Sequence, residues 1–462
     1  MSKRLILLYA AALCLLLNIL VPPFQNPDEI QHFATILRYT LGSGQAPAIE
    51  AEVIRLMDRF DWWRMAGMGR PAKLPDRFSD IPFLKYSESA GLTGHLVLYH
   101  AALGALLKLL PSKDVLSLYH ASRVFSALLF GGSLLLLAAA FANVAASQGA
   151  TRGLGFFFVL FLPQFSVLSL SVNPESLSIF WGALFFYGLV SWCSGAAGSA
   201  AIIILPLTAL AGFLTDRSSF YLIPLAAVLP LFFWRRGRPL RSLAAAGLYL
   251  IFALVVLSWA AWFFSPQFFS GLKTIAAYFL DRSAPAGPAV GSGFAGLSLL
   301  RFVDSFWLMF GWMAFSAADV GYLIWRMAGL LSLAGILVFA ARRWIMKKPA
   351  GLAAAGLGEK PWTGRLVGYS AFAVGLQLAA ILAAATATRI TPQGRYLFPA
   401  IFPVAFLFVL GLESLGDLFG RRAGRALVAV FLVFEVIFFV FVVWGYIAPV
   451  FHLTVRAPHP GI

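Results

Sequence analysis

Apolar runs long enough to cross a lipid bilayer recur along the whole of this chain, and they constrain its fold more than any other feature. A membrane-spanning helix needs roughly 17 to 25 predominantly apolar residues, and we count eleven such runs, separated by polar joints. Hydrophobic residues make up 60% of the 462 residues and charged residues only 12%, against roughly 25% in soluble domains. The sequence therefore predicts a single all-α domain, residues 1–462, built as a polytopic transmembrane helical bundle.

The first predicted span covers residues 2–21, where Lys3 and Arg4 precede an apolar stretch as they do in a secretory signal. Pro22, Pro23 and Phe24 stand where a signal would have small residues for cleavage, so we interpret the segment as an uncleaved span. The other ten spans are predicted at 123–145, 154–172, 176–193, 200–215, 219–234, 242–264, 321–341, 366–387, 397–415 and 427–448.

Positive charge sets the predicted orientation, because loops on the cytoplasmic side of a membrane are enriched in lysine and arginine. With the N-terminus in the cytoplasm, alternation of the spans places the basic clusters within 235–241, 342–365 and 421–425 on that side. Residues 22–119, with ten basic and ten acidic side chains, and residues 265–320 then form long external segments. These expectations describe a multi-pass protein of a bacterial inner membrane, with periplasmic loops and a periplasmic C-terminus.

The interpretation of the apolar stretch at 95–110 determines the side of the membrane on which every later loop is predicted to lie. This stretch is shorter than a span and contains Lys108, so we predict a helix that lies in the outer interface. Counting it as a span would reverse every later loop and place the basic clusters outside. The net charge of +16 reflects these clusters rather than a continuous basic stripe, so the sequence does not indicate a nucleic-acid partner.

The first external joint carries two acids and a histidine within about one helical turn. Asp28, Glu29 and His32 directly follow the first span, and residues at this spacing lie on neighbouring faces of a helix. Two carboxylates and an imidazole can supply a general base, a metal site or both. The same stretch also suits an ordinary helix start, with Asn26 as N-cap and Pro27 at the first position. Both interpretations stay open.

Two further external joints are acidic, and they too have the composition of helix starts. One reads Asn173-Pro174-Glu175, and the other contains Asp216 and Arg217, which can also pair with each other in a tight turn. The predicted topology places Glu175 on the same side of the membrane as the acids of the first joint, which independent helix caps do not require. We therefore treat Asn173, Glu175 and Asp216 as a second acidic group of one candidate site.

The fourth joint, Gln393-Gly394-Arg395-Tyr396, enters the tenth predicted span from outside. Arg395 can anchor the chain at the interface beside Tyr396, or its planar fork can bind a phosphate with help from the amides of the helix start. An arginine on the outer side runs against the overall charge distribution, which favours a ligand. Acids from three joints and this arginine indicate chemistry on a phosphorylated lipid of the outer leaflet, where no nucleotide is present as a donor.

Three motifs of this chain resemble those of a bacterial family of multi-pass membrane proteins: Pro27-Asp28-Glu29 with His32, Asn173-Pro174-Glu175 and Gln393-Gly394-Arg395-Tyr396. That family is itself similar to the GT-C superfamily of polyprenyl-phosphate-dependent glycosyltransferases. The resemblance covers the layout of essentially the whole chain, although the motifs themselves are short. It implies a GT-C-like fold with interfacial helices in the first external loop. It also implies inverting transfer of a sugar from a polyprenyl-phosphate donor in the bilayer to an envelope glycan, lipid or protein.

By this resemblance Asp28 is the general base that takes the proton of the acceptor hydroxyl, and Glu29 and His32 tune or position it. Arg395 is implied to bind the lipid phosphate as it departs, with Gln393 and Tyr396 of the same motif beside it.

Two positions depart from the pattern of such enzymes. Glu175 stands where an aspartate is usual, which weakens the case for a metal ligand, and Arg217 stands where a lysine near the phosphate is expected. Cys14 and Cys193 lie within apolar runs, so they indicate neither a disulfide nor a metal cluster. The metal-binding pattern of the oligosaccharyltransferase branch is not evident either, so we predict a metal-independent reaction without a cofactor; a divalent metal stays open but is not indicated.

Two other functions are consistent with the same external residues. A transporter or flippase for a lipid-linked saccharide would also need ionisable or helix-breaking residues at mid-span, and such candidates, Glu435 among them, are few. A non-catalytic subunit of a polysaccharide assembly would bind lipid without turnover. Substitution of Asp28 separates these functions, because an enzyme loses turnover and keeps its lipid, whereas a scaffold tolerates the change.

Overall fold

The computed structural model describes residues 2–26, 28–66, 69–81, 98–194, 200–233, 302–310, 315–316, 319–345, 363–388 and 393–449. Within these ranges the protein is helical, apart from an antiparallel pair of two-residue strands in which Met309 faces Ser316 and Phe310 faces Phe315. The prediction of an all-α fold is confirmed.

The helices, numbered in chain order, are α1 (Lys3–Leu20), α2 (Glu29–Leu41), α3 (Ala46–Arg59), α4 (Trp62–Met65), α5 (Leu98–Lys108), α6 (Val115–Gln148), α7 (Ala150–Gly153), α8 (Gly155–Leu160), α9 (Pro163–Ser169), α10 (Pro174–Ser194), α11 (Ala200–Phe213), α12 (Leu222–Phe233), α13 (Asp319–Ile345), α14 (Thr363–Thr388), α15 (Ile401–Gly416) and α16 (Arg421–Val442). Shorter turns of 3₁₀ helix occupy Ser43–Gln45, Phe78–Asp80, Arg217–Ser219, Gly394–Ala400 and Asp417–Phe419, and a π turn occupies Val443–Ile447. The strands are β1 (Met309–Phe310) and β2 (Phe315–Ser316).

Seven of these helical stretches are long and apolar enough to cross a membrane, or eight if one bent pair is counted as a span. This confirms the membrane character of the fold, whereas the count of eleven spans stays a prediction. Helices α11 and α12 each border residues outside the described ranges, so their full lengths, and whether they cross the membrane, stay predictions. The predicted span at 242–264 lies outside the described residues.

The predicted span at 154–172 is broken rather than continuous. Helices α7 and α8 together form one arm, α9 forms the other, and the two arms are bent by 57°. The break falls at Phe161 and Leu162, directly before Pro163, whose ring clashes with the preceding turn and which has no N–H to continue the hydrogen-bond ladder. The hydropathy of this stretch correctly predicted an apolar segment, but it did not predict the bend.

Residues between α1 and α6 form a folded layer with its own apolar core. Helices α2, α3 and α5 bury large side chains together with the start of α6, among them Phe33, Trp62, Tyr99 and Tyr119. Helix α5 has 11 residues, so it rises about 16 Å and is too short to cross the roughly 30 Å hydrocarbon core. A helix therefore lies where the interfacial one was predicted.

Small residues let the spans approach closely. A side chain on Gly335 of α13 would place its Cβ 1.8 Å from the carbonyl oxygen of Gly411 in α15, so no larger residue fits between these helices. Trp307 stacks on Trp325 of α13 with ring centroids 4.9 Å apart and planes at 6°. Asp304 binds Arg326 through both carboxylate oxygens, at 2.9 and 2.5 Å. These contacts fix the helical segment 302–307 against the bundle.

The bundle has two chemically distinct ends. At one end Arg152 pairs with Glu413 at 3.1 Å. At the other end, which we call the site end, the joint after α1, the joint before α10 and the turn Gly394–Ala400 come together, because Glu29 accepts a hydrogen bond from Val172 and Asp28 accepts one from Arg395. The polar joints singled out from the sequence lie at this end.

Candidate functional site

Three charged side chains from distant parts of the sequence meet at the site end. Arg395 Nη2 donates to Asp28 Oδ2 at 2.6 Å, and Arg395 Nε lies 3.5 Å from Glu175 Oε1. Asp216 is within electrostatic range of Glu175, as is Asp28. The side chain of Arg395 is 2% exposed and that of Glu175 is 7% exposed, whereas that of Asp28 is 42% exposed. The cluster is therefore buried at Arg395 and open at Asp28.

The backbone at Asp28 holds an uncommon conformation. Its φ is 63° and its ψ is 0°, in the left-handed region, and Phe24 has a φ of 67°. A non-glycine residue there costs of order 1–3 kcal/mol and persists only where its surroundings fix it. Helix α2 begins at Glu29, and the Asp28 side chain makes no capping hydrogen bond. The expected start with Asn26 as N-cap is wrong, because the left-handed turn at Asp28 delays the helix.

Glu29 turns away from Asp28 and into the protein. Its carboxylate is fully buried and accepts hydrogen bonds from Nε and Nη2 of Arg123, each at 3.3 Å. Glu29 Oε1 also accepts from the backbone N–H of Val172 at 3.0 Å. The pair ties the start of α2 to α6 and to the joint before α10, so Glu29 holds the site together and has no direct contact with Asp28 through its carboxylate.

Arg123 uses its other donor positions to hold the end of α1. Nη1 donates to the carbonyl of Val21 at 2.7 Å and to Asn18 Oδ1 at 3.4 Å, and Nη2 donates to the carbonyl of Pro22 at 3.2 Å. The guanidinium carbon lies 5.0 Å from the centre of the Tyr119 ring. Every nitrogen of this buried guanidinium therefore has a hydrogen-bond acceptor.

The second acidic joint starts a helix and contributes to the cluster as well. Helix α10 begins at Pro174, and Asn173 Oδ1 accepts the N–H of Glu175 at 2.9 Å, as a capping side chain does. Asn173 Nδ2 and Glu175 Oε2 are buried, and neither atom makes a hydrogen bond within the described part of the chain. The interpretation of this joint as a helix start is confirmed, and its place in a functional site stays a prediction.

The third joint is held to the fourth by a glutamine from a span. Asp216 Oδ2 accepts the N–H of Ser218 at 2.8 Å, which closes a local turn. Gln377 of α14 donates through Nε2 to the carbonyls of Ser218 and Tyr396. The side chain of Arg217 lies outside the described residues, so its predicted pairing with Asp216 and its phosphate contact stay predictions.

The turn that carries Arg395 is packed against residues 302–307. The N–H of Gly394 donates to Ser305 Oγ at 2.7 Å, and a Cβ on Gly394 would lie 2.4 Å from the carbonyl oxygen of Phe302. Only glycine fits this approach. The guanidinium carbon of Arg395 lies 5.2 Å from the centre of the neighbouring Tyr396 ring, so the aromatic residue of this motif stacks near the arginine.

Several buried polar atoms of Arg395, Asn173 and Gln393 make no hydrogen bond within the described residues. Nε and Nη1 of Arg395 are buried without a hydrogen-bond acceptor among the residues described, and so are the donor Asn173 Nδ2 and the acceptor Gln393 Oε1. Native proteins rarely leave buried donors unpaired, since each costs about 1–3 kcal/mol. Donors from Arg395 and Asn173 are the groups that an anion, such as a phosphate, would bind.

His32 belongs to a separate pair. Its Nδ1 lies 3.1 Å from Nε2 of His100 on α5, and both side chains are buried. Next to His100, the hydroxyl of Tyr99 lies 3.4 Å from Ser126 Oγ, and burial raises the pKa of Tyr99 well above its ordinary value, so this hydroxyl stays protonated. The backbone N–H of His32 donates to the carbonyl of Asp28 at 3.2 Å, which links the histidine to Asp28 through the main chain.

The described residues contain no group of three or more His, Cys, Asp or Glu side chains arranged to hold a metal ion. Cys14 and Cys193 lie in different helices, α1 and α10, and neither forms a disulfide. The groups that the structure describes at the site are carboxylates, an arginine and amides.

Two residues of the site escaped the sequence analysis. Arg123 stood only as the start of a predicted span, and Gln377 lies within an apolar helix. Polar residues inside spans are costly and usually face a partner or a cavity, and this signal would have identified both. Their partners lie 94 and 159 residues away in sequence, so no local pattern reveals the contacts.

The structure thus brings together Asp28, Glu175 and Arg395, and it places Glu29 and His32 in pairs of their own. Comparison of the chain with protein-family models, with curated proteins and with solved structures found no match.

Proposed function

We propose that the protein is a membrane glycosyltransferase that moves a sugar from a polyprenyl-phosphate donor to an acceptor hydroxyl at the outer face of a bacterial inner membrane. The observation that carries the proposal is the buried guanidinium of Arg395, which has unpaired donors and lies 2.6 Å from the half-exposed carboxylate of Asp28. An anion-binding group and a candidate base are thereby adjacent, at the end of a bundle whose apolar helices suit a lipid substrate.

Arg395 is proposed to bind the phosphate of the donor. Its Nη1 is free of other acceptors within the described residues and its Nη2 is held by Asp28, so a phosphate that binds the Nη1–Nη2 edge bidentately takes the place of Asp28. Asn173 Nδ2, two residues before Glu175 in the chain, supplies a further unpaired donor within the described residues. In this arrangement donor binding releases the carboxylate of Asp28 from its ion pair.

Asp28 is proposed to act as the general base. Its carboxylate takes the proton of the acceptor hydroxyl as that oxygen attacks the anomeric carbon of the sugar from the face opposite the phosphate. The bond between the anomeric carbon and the phosphate oxygen breaks, its electron pair stays on the phosphate, and Arg395 stabilises that charge. The exposure of Asp28, 42%, leaves room for the acceptor.

Glu175 is proposed to orient Arg395 rather than to react. Its Oε1 lies 3.5 Å from Arg395 Nε, on the edge of the guanidinium that Nε shares with Nη2, and a carboxylate there fixes the plane of the fork. The proposed orientation, with this end of the bundle in the periplasm, follows from the basic clusters at the other loops. The resemblance of the motifs to GT-C enzymes is consistent with the roles proposed for Asp28 and Arg395.

Turnover of the purified protein with a panel of radiolabelled polyprenyl-phosphate sugars and envelope-lipid acceptors tests the proposal. We expect release of polyprenyl phosphate from the wild type and none above background from Asp28→Asn, while Asp28→Asn still binds the donor. If no donor in the panel is turned over and both Asp28→Asn and Arg395→Ala retain wild-type cellular function, the proposed enzymatic activity is contradicted. A non-catalytic subunit of a polysaccharide assembly is then favoured.

A second candidate, a transporter of a lipid-linked saccharide, is favoured by two observations. The span formed by α7 to α9 is discontinuous, and Glu435 is fully buried within α16; broken helices and intramembrane acids are features of transporters. Flux of a fluorescent lipid-linked saccharide across proteoliposomes distinguishes the two, since a transporter moves the intact lipid and a transferase cleaves it.

A further inference from the structure

Glu435 lies in the apolar interior of the bundle, and no described residue neutralises it. It sits in the C-terminal half of α16, its exposure is 0%, and neither carboxylate oxygen makes a hydrogen bond among the described residues. No ion pair within those residues includes it either. An isolated carboxylate in such a place costs several kcal/mol, so the group is stable only when it carries a proton or faces a bound cation.

The side chain of Glu435 faces the break in the discontinuous span. Residues four positions before and after it, Phe431 and Phe439, lie on the same face of α16. Phe431 contacts Phe158 with ring centroids 6.5 Å apart, and Phe439 contacts Phe161 at 5.9 Å. Phe158 lies before the break and Phe161 lies in it, so Glu435 is level with the end of α8.

Oxygen atoms from two other elements lie at this level. The hydroxyl of Tyr9 in α1 donates to the carbonyl oxygen of Leu160 at 2.8 Å, and Leu160 is the last residue of α8. The Tyr9 ring contacts Phe161 with centroids 5.9 Å apart, and the Tyr9 hydroxyl is within electrostatic range of the Glu435 carboxylate. A carbonyl oxygen has a second lone pair, so Leu160 can accept from Tyr9 and also bind a cation.

We propose that Glu435, the Tyr9 hydroxyl and the Leu160 carbonyl form an intramembrane site for a monovalent cation, either a proton or a sodium ion. A carboxylate, a hydroxyl and a carbonyl at the end of a broken helix are the oxygen ligands that such cations take in membrane proteins. The C-terminal end of α8 carries partial negative charge, which adds to the attraction. The site lies in the span interior and is separate from the Asp28–Arg395 cluster, so it does not depend on the proposed sugar transfer.

Infrared difference spectroscopy of the purified protein tests the proposal, because a protonated carboxyl in an apolar site has its own C=O stretch. We expect such a band in the wild type without sodium, absent from Glu435→Gln and retained in the control Glu52→Gln, whose carboxylate is on the surface helix α3. Loss of the band as the pH rises identifies a proton site. Loss on adding sodium chloride at fixed pH, and not on adding choline chloride, identifies a sodium site.

A band assigned to Glu435 that responds to neither pH nor sodium would overturn the proposal, since it would describe a permanently protonated structural residue. The absence of any band that depends on Glu435, in a protein whose unfolding temperature does not rise with sodium, would overturn it as well. Tyr9→Phe serves if Glu435→Gln does not fold, because loss of the hydroxyl should shift the pH midpoint or weaken sodium binding. A Tyr9→Phe protein with an unchanged titration and unchanged sodium response would also contradict the site.

Discussion

Arg123 and Arg395 are both buried arginines at the site end, and each faces carboxylates, yet their surroundings differ in one respect. Arg123 is 3% exposed, and all three of its nitrogens have acceptors, from Glu29, Asn18 and two backbone carbonyls. Arg395 is 2% exposed, and within the described residues only its Nη2 has a hydrogen-bond acceptor, Asp28.

The difference teaches how a structural arginine is told from one that binds a ligand. A buried guanidinium with all its donors satisfied joins elements of the fold, and its removal leaves the partner carboxylate without compensation. A buried guanidinium with unpaired donors keeps capacity that only a missing group can use. Four substitutions test this difference between the two arginines.

Asp28→Asn should have the largest effect, on turnover. Removal of a general base lowers the rate about 10²–10⁴-fold, and asparagine tolerates the left-handed backbone that Asp28 holds, so the fold should persist. Radiolabelled sugar transfer under single-turnover conditions measures the loss. An Asn variant that transfers sugar at half the wild-type rate or more would show that Asp28 only partners Arg395.

Arg123→Ala should have the largest effect on stability. It leaves the fully buried Glu29 carboxylate unpaired, and breaking a buried ion pair costs about 3–5 kcal/mol. Denaturation in mixed detergent micelles gives the free energy of unfolding. A double-mutant cycle with Glu29→Gln should yield a coupling of about 0.5–3 kcal/mol, and additive effects of the two changes would contradict the pairing.

Arg395→Ala should affect ligand binding more than stability. One of its partners, Asp28, is 42% exposed and can be solvated after the arginine is lost, so we expect a smaller loss of stability than for Arg123→Ala. Binding of polyprenyl monophosphate should weaken roughly 10- to 150-fold, the equivalent of one hydrogen bond to a charged group. Arg395→Lys keeps the charge without the fork and should fall between; equal affinity of all three proteins would remove Arg395 from the phosphate site.

Asp114→Ala removes the N-cap of α6, the helix that carries Arg123, and should have the smallest effect of the four substitutions. Asp114 caps α6 by accepting the N–H of Ser117 at 2.8 Å, and loss of such a cap costs about 1 kcal/mol. That hydrogen bond lowers the pKa of Asp114. The cap therefore stabilises the protein above the ordinary aspartate pKa of about 3.9 and is lost as the pH falls through the lowered value, so the difference from wild type should vanish in strong acid. Asp114→Asn should retain most of the stability.

The sequence predicted the apolar helices and the polar joints, because bilayer length and charge distribution are local properties of the chain. It identified Asp28, Glu175 and Arg395 as members of one candidate site through the alternation of spans. It misplaced the start of α2, since the left-handed turn at Asp28 depends on contacts with distant residues. It did not predict the contact between Glu29 and Arg123, because the two residues lie 94 positions apart in sequence; the role of Glu29 in the chemistry stays a prediction.

The break in the span formed by α7 to α9 was missed for a different reason. Hydropathy averages over a window and does not register a single Pro163 in an apolar run. Proline in a predicted span is the signal that would have located it, and it also marks the level at which Glu435 lies.

The sequence distance between Asp28 and Arg395 has a consequence for how the chain is made. Their contact spans 367 residues, so at about 5–20 residues per second roughly 20–70 s of synthesis separate the two side chains. During that time the first joint has left the ribosome with its aspartate unpaired, while the Glu29–Arg123 contact, 94 residues apart, is already available. The Glu29–Arg123 pair can therefore form early in synthesis, whereas the Asp28–Arg395 pair, the proposed reactive centre, can form only after most of the chain has been made.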